Sequence, residues 1–450
     1  MQDRLPQPSW IVVKSGLVST AGWSVALSSL DHGSASDHAR RRNALTLLFF
    51  LLVAFAVVLR IVVSPQIMNR FVDYTSEGGP FLFKLHLGTY AVFAALPLVL
   101  IARPIVLGGR DIATFRTLLR FALTLMVLVV FLVVTGRFGS AGFLIDSYLV
   151  ACAAGLIMLA LPPSVRQAIG HVVLSVLILS AVLGIVEAVT QQRIMPFDLI
   201  ELQFRPVGLS EHPLALGAIC MTALGFAVLV PWPIWLRVLA VFVLFVATAV
   251  SGARFALLLA AGEILVLLMF VRWPQLSRRD ERRAKAFALI VILMIGVLMV
   301  AALFAGGLLS RFGDTLFDEN AMARVTIYQV FAYVEFKQLM LGMPADALIA
   351  IVNEELGLPY IESSPVVFIL LFGLPVAIFF AVSFALMLRG LLRGAPLAAK
   401  VATTCFILVS LSNNALSSKT PELLILFVLL LAFSRPEQAS ASSLSNTIKR

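Results

Sequence analysis

Three arginines, Arg205, Arg254 and Arg324, each stand in a short polar cluster beside a strongly apolar stretch. A guanidinium stays charged and offers a fork of donors, which suits the oxygens of a phosphate or carboxylate. The first cluster is Arg205-Pro206-Val207-Gly208-Leu209-Ser210-Glu211-His212-Pro213. Gly and Pro shape a tight backbone there, Arg205 is an anion clamp, and Glu211 and His212 are two titratable groups. The second is Ser251-Gly252-Ala253-Arg254, and the third is Asp318-Glu319-Asn320-Ala321-Met322-Ala323-Arg324. A fourth, Glu362-Ser363-Ser364, offers a carboxylate that could serve as general base. Together they fit the handling of a diphosphate or another anion. Each has a plainer explanation too: a polar re-entry loop, an arginine snorkelling to headgroups, a surface charge paired with Asp318 or Glu319, and an interfacial helix cap.

The elements that must position these groups are membrane helices. The chain has 450 residues, 60% of them hydrophobic and only 13% charged, whereas a soluble domain is about a quarter charged. So little charge cannot clothe a water-facing exterior. Spans need roughly 20 apolar residues, and about twelve candidates occur, near 44–63, 88–102, 118–135, 142–161, 169–190, 214–230, 233–250, 254–271, 286–309, 364–388, 398–412 and 421–434. The second, eleventh and twelfth are short. The expected class is therefore an all-α polytopic membrane protein.

Charge orients the spans. The positive-inside bias puts roughly two thirds of the 34 Lys and Arg on one side. The run Arg272, Arg278, Arg279, Arg282, Arg283, Lys285 is the strongest anchor of that side. Both termini are then cytoplasmic, with tails at 1–43 and 435–450 around a transmembrane domain at 44–434. The net charge of +10 follows from this bias and is no sign of nucleic acid. Residues 1–43 show no cleavable signal pattern. The four clusters fall on the opposite, outer side, where cations are scarce.

The largest outer loop, 310–363, separates the ninth and tenth spans. Val325, Tyr328, Phe331 and Val334 recur at three-residue steps, which predicts one surface helix over Ala321 to Met340. Arg324 would then lie in its first turn, against the preference of the macrodipole. A second short helix is expected near Asp346 to Leu356.

Three acids, Asp146, Glu187 and Glu263, fall in or near apolar runs. Glu263 lies near the middle of its span, where a charge is costly and is usually paired or neutral; it reads as part of a proton or ion pathway or as a buried protonated group. Cys152, Cys220 and Cys405 lie in apolar runs, so no disulfide is expected. No Walker, dinucleotide, HExxH or CxxC pattern occurs, and five scattered His make a transition-metal site improbable. No cofactor is expected.

The order of these parts resembles the O-antigen ligase/polymerase family of bacterial envelope proteins. The resemblance covers about residues 200 to 390. It rests on Arg205-x-x-Gly208 with His212-Pro213, on Ser251-Gly252-x-Arg254, on Arg324 with Leu341-Gly342-Met343-Pro344, and on Ser363-Ser364 followed by Phe372-Gly373-Leu374. It implies a type-C glycosyltransferase-like fold in the inner membrane. It also implies transfer of a glycan from a polyprenyl diphosphate to an acceptor hydroxyl at the outer face. Arg205, Arg254 and Arg324 would hold the diphosphate. Family ligases usually carry a His after the large loop, where this chain reads Ile361-Glu362-Ser363-Ser364.

That departure favours a polymerase joining lipid-linked repeat units of an exopolysaccharide or O-antigen. The expected partners are the lipid-linked glycan, an acceptor glycan, membrane lipids and other polysaccharide assembly and export proteins. Glu362 is the first candidate base, with Glu211 or His212 second. The alternatives are a ligase acting on a lipid acceptor and, in another class, a transporter or flippase of lipid-linked sugar.

Overall fold

The structure, a computed structural model, describes residues 21–75, 80–102, 107–197, 204–272, 277–305, 319–359 and 361–433. The tails at 1–20 and 434–450, loop residues 306–318 with Asp318, and the side chains of Glu319 and Asn320 lie outside what is described. The chain divides into two compact units, Met1–Phe49 and Phe50–Arg450. In the first, the described residues from Ala21 onward are helical. The second holds all the groups discussed below.

The described secondary structure is helical throughout. In chain order the helices are α1 (Ala21–Val62), α2 (Pro65–Asn69), α3 (Leu87–Ala102), α4 (Gly109–Val134), α5 (Ala141–Phe143), α6 (Val150–Ala160), α7 (Pro163–Thr190), α8 (Pro213–Ala227), α9 (Ile234–Val250), α10 (Arg254–Phe270), α11 (Arg278–Ala305), α12 (Glu319–Thr326), α13 (Phe336–Leu341), α14 (Ala345–Leu356), α15 (Ser364–Phe372), α16 (Leu374–Leu391), α17 (Leu397–Leu411) and α18 (Glu422–Phe433). A π-helical turn, Leu144–Leu149, joins α5 to α6. Most apolar runs read from sequence fall on one helix each, but the run at 364–388 is broken at Gly373, φ +85°, into α15 and α16, and the run at 142–161 is shared by α5, a π turn and α6. By length and composition, Asn43–Val62, α4, Phe138–Ala160, α7 and α16 can cross a bilayer, so the chain is a multi-pass membrane protein.

Several other apolar helices are shorter, including α3, α8, α9, α17 and α18. Burial separates them. Every residue of α18 is buried, as are all but one of α8's, and a helix that is apolar all round belongs in a core. With 12 residues, α18 is only about 18 Å long at 1.5 Å per residue. It is a central post rather than a full crossing on its own.

Glycines set the close packing of α8. A Cβ at Gly217 would stand 2.5 Å from the Ala253 Cβ, and one at Gly225 would collide with the Glu263 carboxylate and meet Ala402. These two contacts make α8 parallel to α10. Ala402 lies near the start of α17, so α17 runs antiparallel to both. The end of α17, the start of α8 and the start of α10 therefore share one end of the bundle.

The large loop departs from expectation. In place of one helix over Ala321 to Met340 there are three pieces: α12, a 3-10 stretch Ile327–Ala332, and α13. A capping box starts α13 afresh: the Glu335 N–H donates to Gln338 Oε1 at 3.0 Å, and the Glu335 side chain caps in return. The three-residue apolar steps that suggested a long helix match the 3-10 period as well. Arg324 lies in the last turn of α12, where the macrodipole favours a cation, so the argument from opposition to the dipole falls.

Candidate functional site

Glu187, near the end of α7, organises the loop that carries Arg205. Its Oε2 accepts the N–H of Val207 at 2.7 Å and of Gly208 at 2.9 Å, and its Oε1 accepts that of Ile194 at 2.9 Å. Ser180 Oγ accepts the Leu209 N–H at 3.0 Å. Gly208 has φ +56°, and a Cβ there would run into the Ser180 carbonyl. Only glycine fits that close approach without strain. An acid expected in the membrane is thus a buried acceptor for loop amides at the rim.

So held, Arg205 reaches the next cluster. Its Nε donates to the Ser251 carbonyl at 3.0 Å. Gly252 has φ +70°, and a Cβ there would stand 3.2 Å from Arg205 Nε. Two residues on, Arg254 opens α10. The structure thereby brings the Arg205 and Ser251–Arg254 clusters together. Arg193 donates to the Arg205 carbonyl at 3.2 Å, and its guanidinium lies 4.0 Å above the Phe197 ring.

His212 caps α8, its Nδ1 accepting the Leu214 N–H at 3.2 Å. Burial first, then the charges of Arg205 and Arg193, push its imidazolium down to about 4. The ring is therefore neutral at pH 7, with its proton on Nε2. It can donate through Nε2 but is not a free base there. Glu211, next to it, is pushed the other way, up to about 7, by burial that the charge of Arg60 partly offsets.

Arg324 and Glu362 form a second pair, Nε to Oε2 at 2.9 Å. Glu362 precedes the N-cap Ser363 of α15. Ser364 ties this segment to the end of α17, its Oγ donating to the Asn413 carbonyl at 2.8 Å. That end of α17 is level with the starts of α8 and α10. Arg205, Glu211, His212, Arg254, Arg324 and Glu362 therefore all belong to one end of the bundle.

At the same end sits a buried cluster that sequence reading largely missed. Asp146, in the π-helical turn, accepts the Tyr74 hydroxyl at 2.8 Å and the His86 N–H at 3.1 Å. Arg60 donates to the Lys419 carbonyl at 3.0 Å and the Asp146 carbonyl at 3.3 Å. Lys419 Nζ donates to the carbonyls of Tyr74 and Lys84, each at 2.9 Å. Burial, and then Arg60, press His86 down to about 3, so it too is neutral; burial raises Tyr74 and lowers Lys419. A cavity of about 10 Å³, room for about one water, lies between Arg60, Ser64, Ser180, Ser210 and Glu211. The available signal was Arg60 itself, a charge inside an apolar run, which calls for a partner. The π turn that aims Asp146 left no mark in residue types.

Glu263 stands apart. It is buried in the middle of α10, with neither carboxylate oxygen hydrogen-bonded among the described residues. Among those residues no group of His, Cys, Asp and Glu could hold a metal, and the three cysteines are free and buried. Comparison with family models, curated proteins and solved structures returns no match for this chain.

Proposed function

We propose that the chain is a glycosyltransferase of the polysaccharide polymerase type. It would join polyprenyl-diphosphate-linked oligosaccharide repeat units into an exopolysaccharide or O-antigen at the outer face of a cytoplasmic membrane. The observation that carries this is the seating of Arg205 on the Ser251–Gly252 turn that launches Arg254. Two guanidinium groups on one rigid rim suit the two phosphates of a lipid diphosphate leaving group. The resemblance to the O-antigen ligase/polymerase family supports the same reading, and the type-C-like arrangement that it implies belongs to the proposal.

The chemistry follows from charge. As the glycosyl bond breaks, negative charge grows on the diphosphate oxygen, and fixed donors stabilise it most where water is excluded. Arg205 is fixed by its bond to the Ser251 carbonyl, and the short turn sets where Arg254 starts from the same rim. Arg324 is the third cation, with Glu362 as its counter-ion. The acceptor hydroxyl needs a base, worth about 10²- to 10⁴-fold. Glu362 is engaged by Arg324, and His212 presents a protonated Nε2, so Glu211 is the better-placed base. His212 orients the backbone by capping α8.

Purified protein in nanodiscs, given a polyprenyl-diphosphate oligosaccharide, should build a ladder of longer products with release of polyprenyl diphosphate. Absence of both product and release would reject the reading. The unpartnered carboxyl of Glu263 favours a second one, a transporter of lipid-linked sugar. In that case the protein reconstituted in sealed vesicles would move the substrate across the bilayer without lengthening it.

A further inference from the structure

A groove of about 980 Å³ runs between α16 and α17, with its basic mouth at the end of the bundle opposite the polar clusters. Arg389, Arg393 and Lys400 line it, together with Thr403 and Thr404. All three cations are exposed, and none has a hydrogen-bonded or ion-paired side chain among the described residues. A fourth guanidinium borders the same turn: a Cβ at Gly394, φ +73°, would stand 3.2 Å from Arg110 Cζ. The adjacent acid, Asp111, is committed to Arg166 at 3.0 Å. Among the described residues no carboxylate lines the groove.

The other walls are apolar. Leu386 on α16 and Ile407 and Leu408 on α17 continue the groove away from its basic mouth. Leu386 is 60% exposed and Leu408 43%. Cations at the rim and open apolar walls behind them match one kind of occupant, a lipid with a phosphate headgroup and acyl chains. Basic pockets between membrane helices on the cytoplasmic side are suited to anionic headgroups.

We propose that this groove is a binding site for an anionic glycerophospholipid, its phosphate held by Arg389, Arg393 and Lys400 and its chains laid along Leu386, Ile407 and Leu408. The site is independent of the transfer reaction, and it holds the α16–α17 hairpin in the leaflet opposite the polar clusters. Bulk charge alone would spread over every basic loop. A site confines the effect to these three residues.

The test is native mass spectrometry of the full chain released from nanodiscs containing phosphatidylcholine and phosphatidylglycerol. Wild type should retain phosphatidylglycerol. R389Q/R393Q/K400Q should retain about tenfold less or lower, since each cation contributes separately. R278Q/R279Q/R283Q, which removes three exposed cations elsewhere, should retain as much as wild type. Equal loss in both triple variants, or loss in neither, would overturn the site. Displacement of phosphatidylglycerol from wild type by equimolar polyprenyl phosphate would also overturn it, by assigning the groove to the carrier lipid. Correct folding of each variant is read from its elution profile in the same preparation.

Discussion

The polar clusters and the basic groove treat their cations in opposite ways. In the clusters Arg60, Arg205 and Arg324 are fixed by backbone carbonyls or a carboxylate at 2.9 to 3.3 Å. At the groove, Arg389, Arg393 and Lys400 stand exposed around an open space. A fixed guanidinium in a partly dry site is already oriented when charge develops on a substrate, whereas a mobile one must be ordered first. The contrast teaches that cation count orients a membrane protein, while fixed cations gathered with Glu211, His212 and Glu362 mark where chemistry can occur; Arg166, fixed at the groove's end by Asp111 and two carbonyls, serves structure.

The contrast is most sharply tested at Arg60. Replacing it with leucine strips a buried and a part-buried carbonyl of a charged donor, at about 1.5–3 kcal/mol for each such bond. The Arg60→Leu variant should lose several degrees of melting temperature and much of its folded yield. An unchanged melting curve would break the claim that this end is rigidly built.

Next comes the loop clamp. Glu187→Gln leaves one oxygen where two had accepted three N–H groups, and sets an amide donor against amide donors. We expect about 2–3 kcal/mol of lost stability, with faster hydrogen exchange at Val207 and Gly208. Exchange that rises only at the termini would contradict the clamp.

Proton linkage gives a finer test. The folded pKa of His212 is lowered, so its stabilisation is complete above its ordinary 6.5 and is lost as pH falls through about 4. Glu211 has the opposite sign: raised, its contribution is complete below its ordinary 4.5 and is lost as pH rises through about 7. Melting temperature scanned from pH 4.5 to 8 should therefore fall on the alkaline side in wild type. Glu211→Gln should reduce the fall on that side alone. A fall that survives undiminished in Glu211→Gln would assign it to another group.

The smallest stability effect is expected at the far rim. R389Q/R393Q/K400Q alters exposed side chains, and such changes usually lie within about 0.5 kcal/mol. Its melting temperature in detergent should match wild type. A large drop would show that these cations carry structure as their counterparts do.

Most apolar runs and the crowded polar clusters were legible because their signals are local, whereas the break at Gly373 within 364–388 was not read. Twenty apolar residues or a short Arg-bearing turn can be read in place, and Arg254 does open α10 directly after the Ser251–Gly252 turn. The large loop was misread because three-residue steps do not separate an α-helix from a 3-10 stretch, and the Glu335 cap was overlooked. Asp146, Arg60 and Lys419 could not be joined from sequence: they come from three distant segments, and a π turn decides where Asp146 points. The clamp by Glu187 was hidden in the same way, because its partners are backbone amides, which every residue type supplies.

The most direct test of the central claim is glycan chain length in a deletion strain complemented with wild type or Arg254→Ala at matched protein level. Loss of one fixed donor at a developing charge typically costs about 10²- to 10³-fold in rate. The account predicts long polymer with wild type and single repeat units with Arg254→Ala. Normal polymer from Arg254→Ala would reduce that arginine to a headgroup anchor and contradict the account.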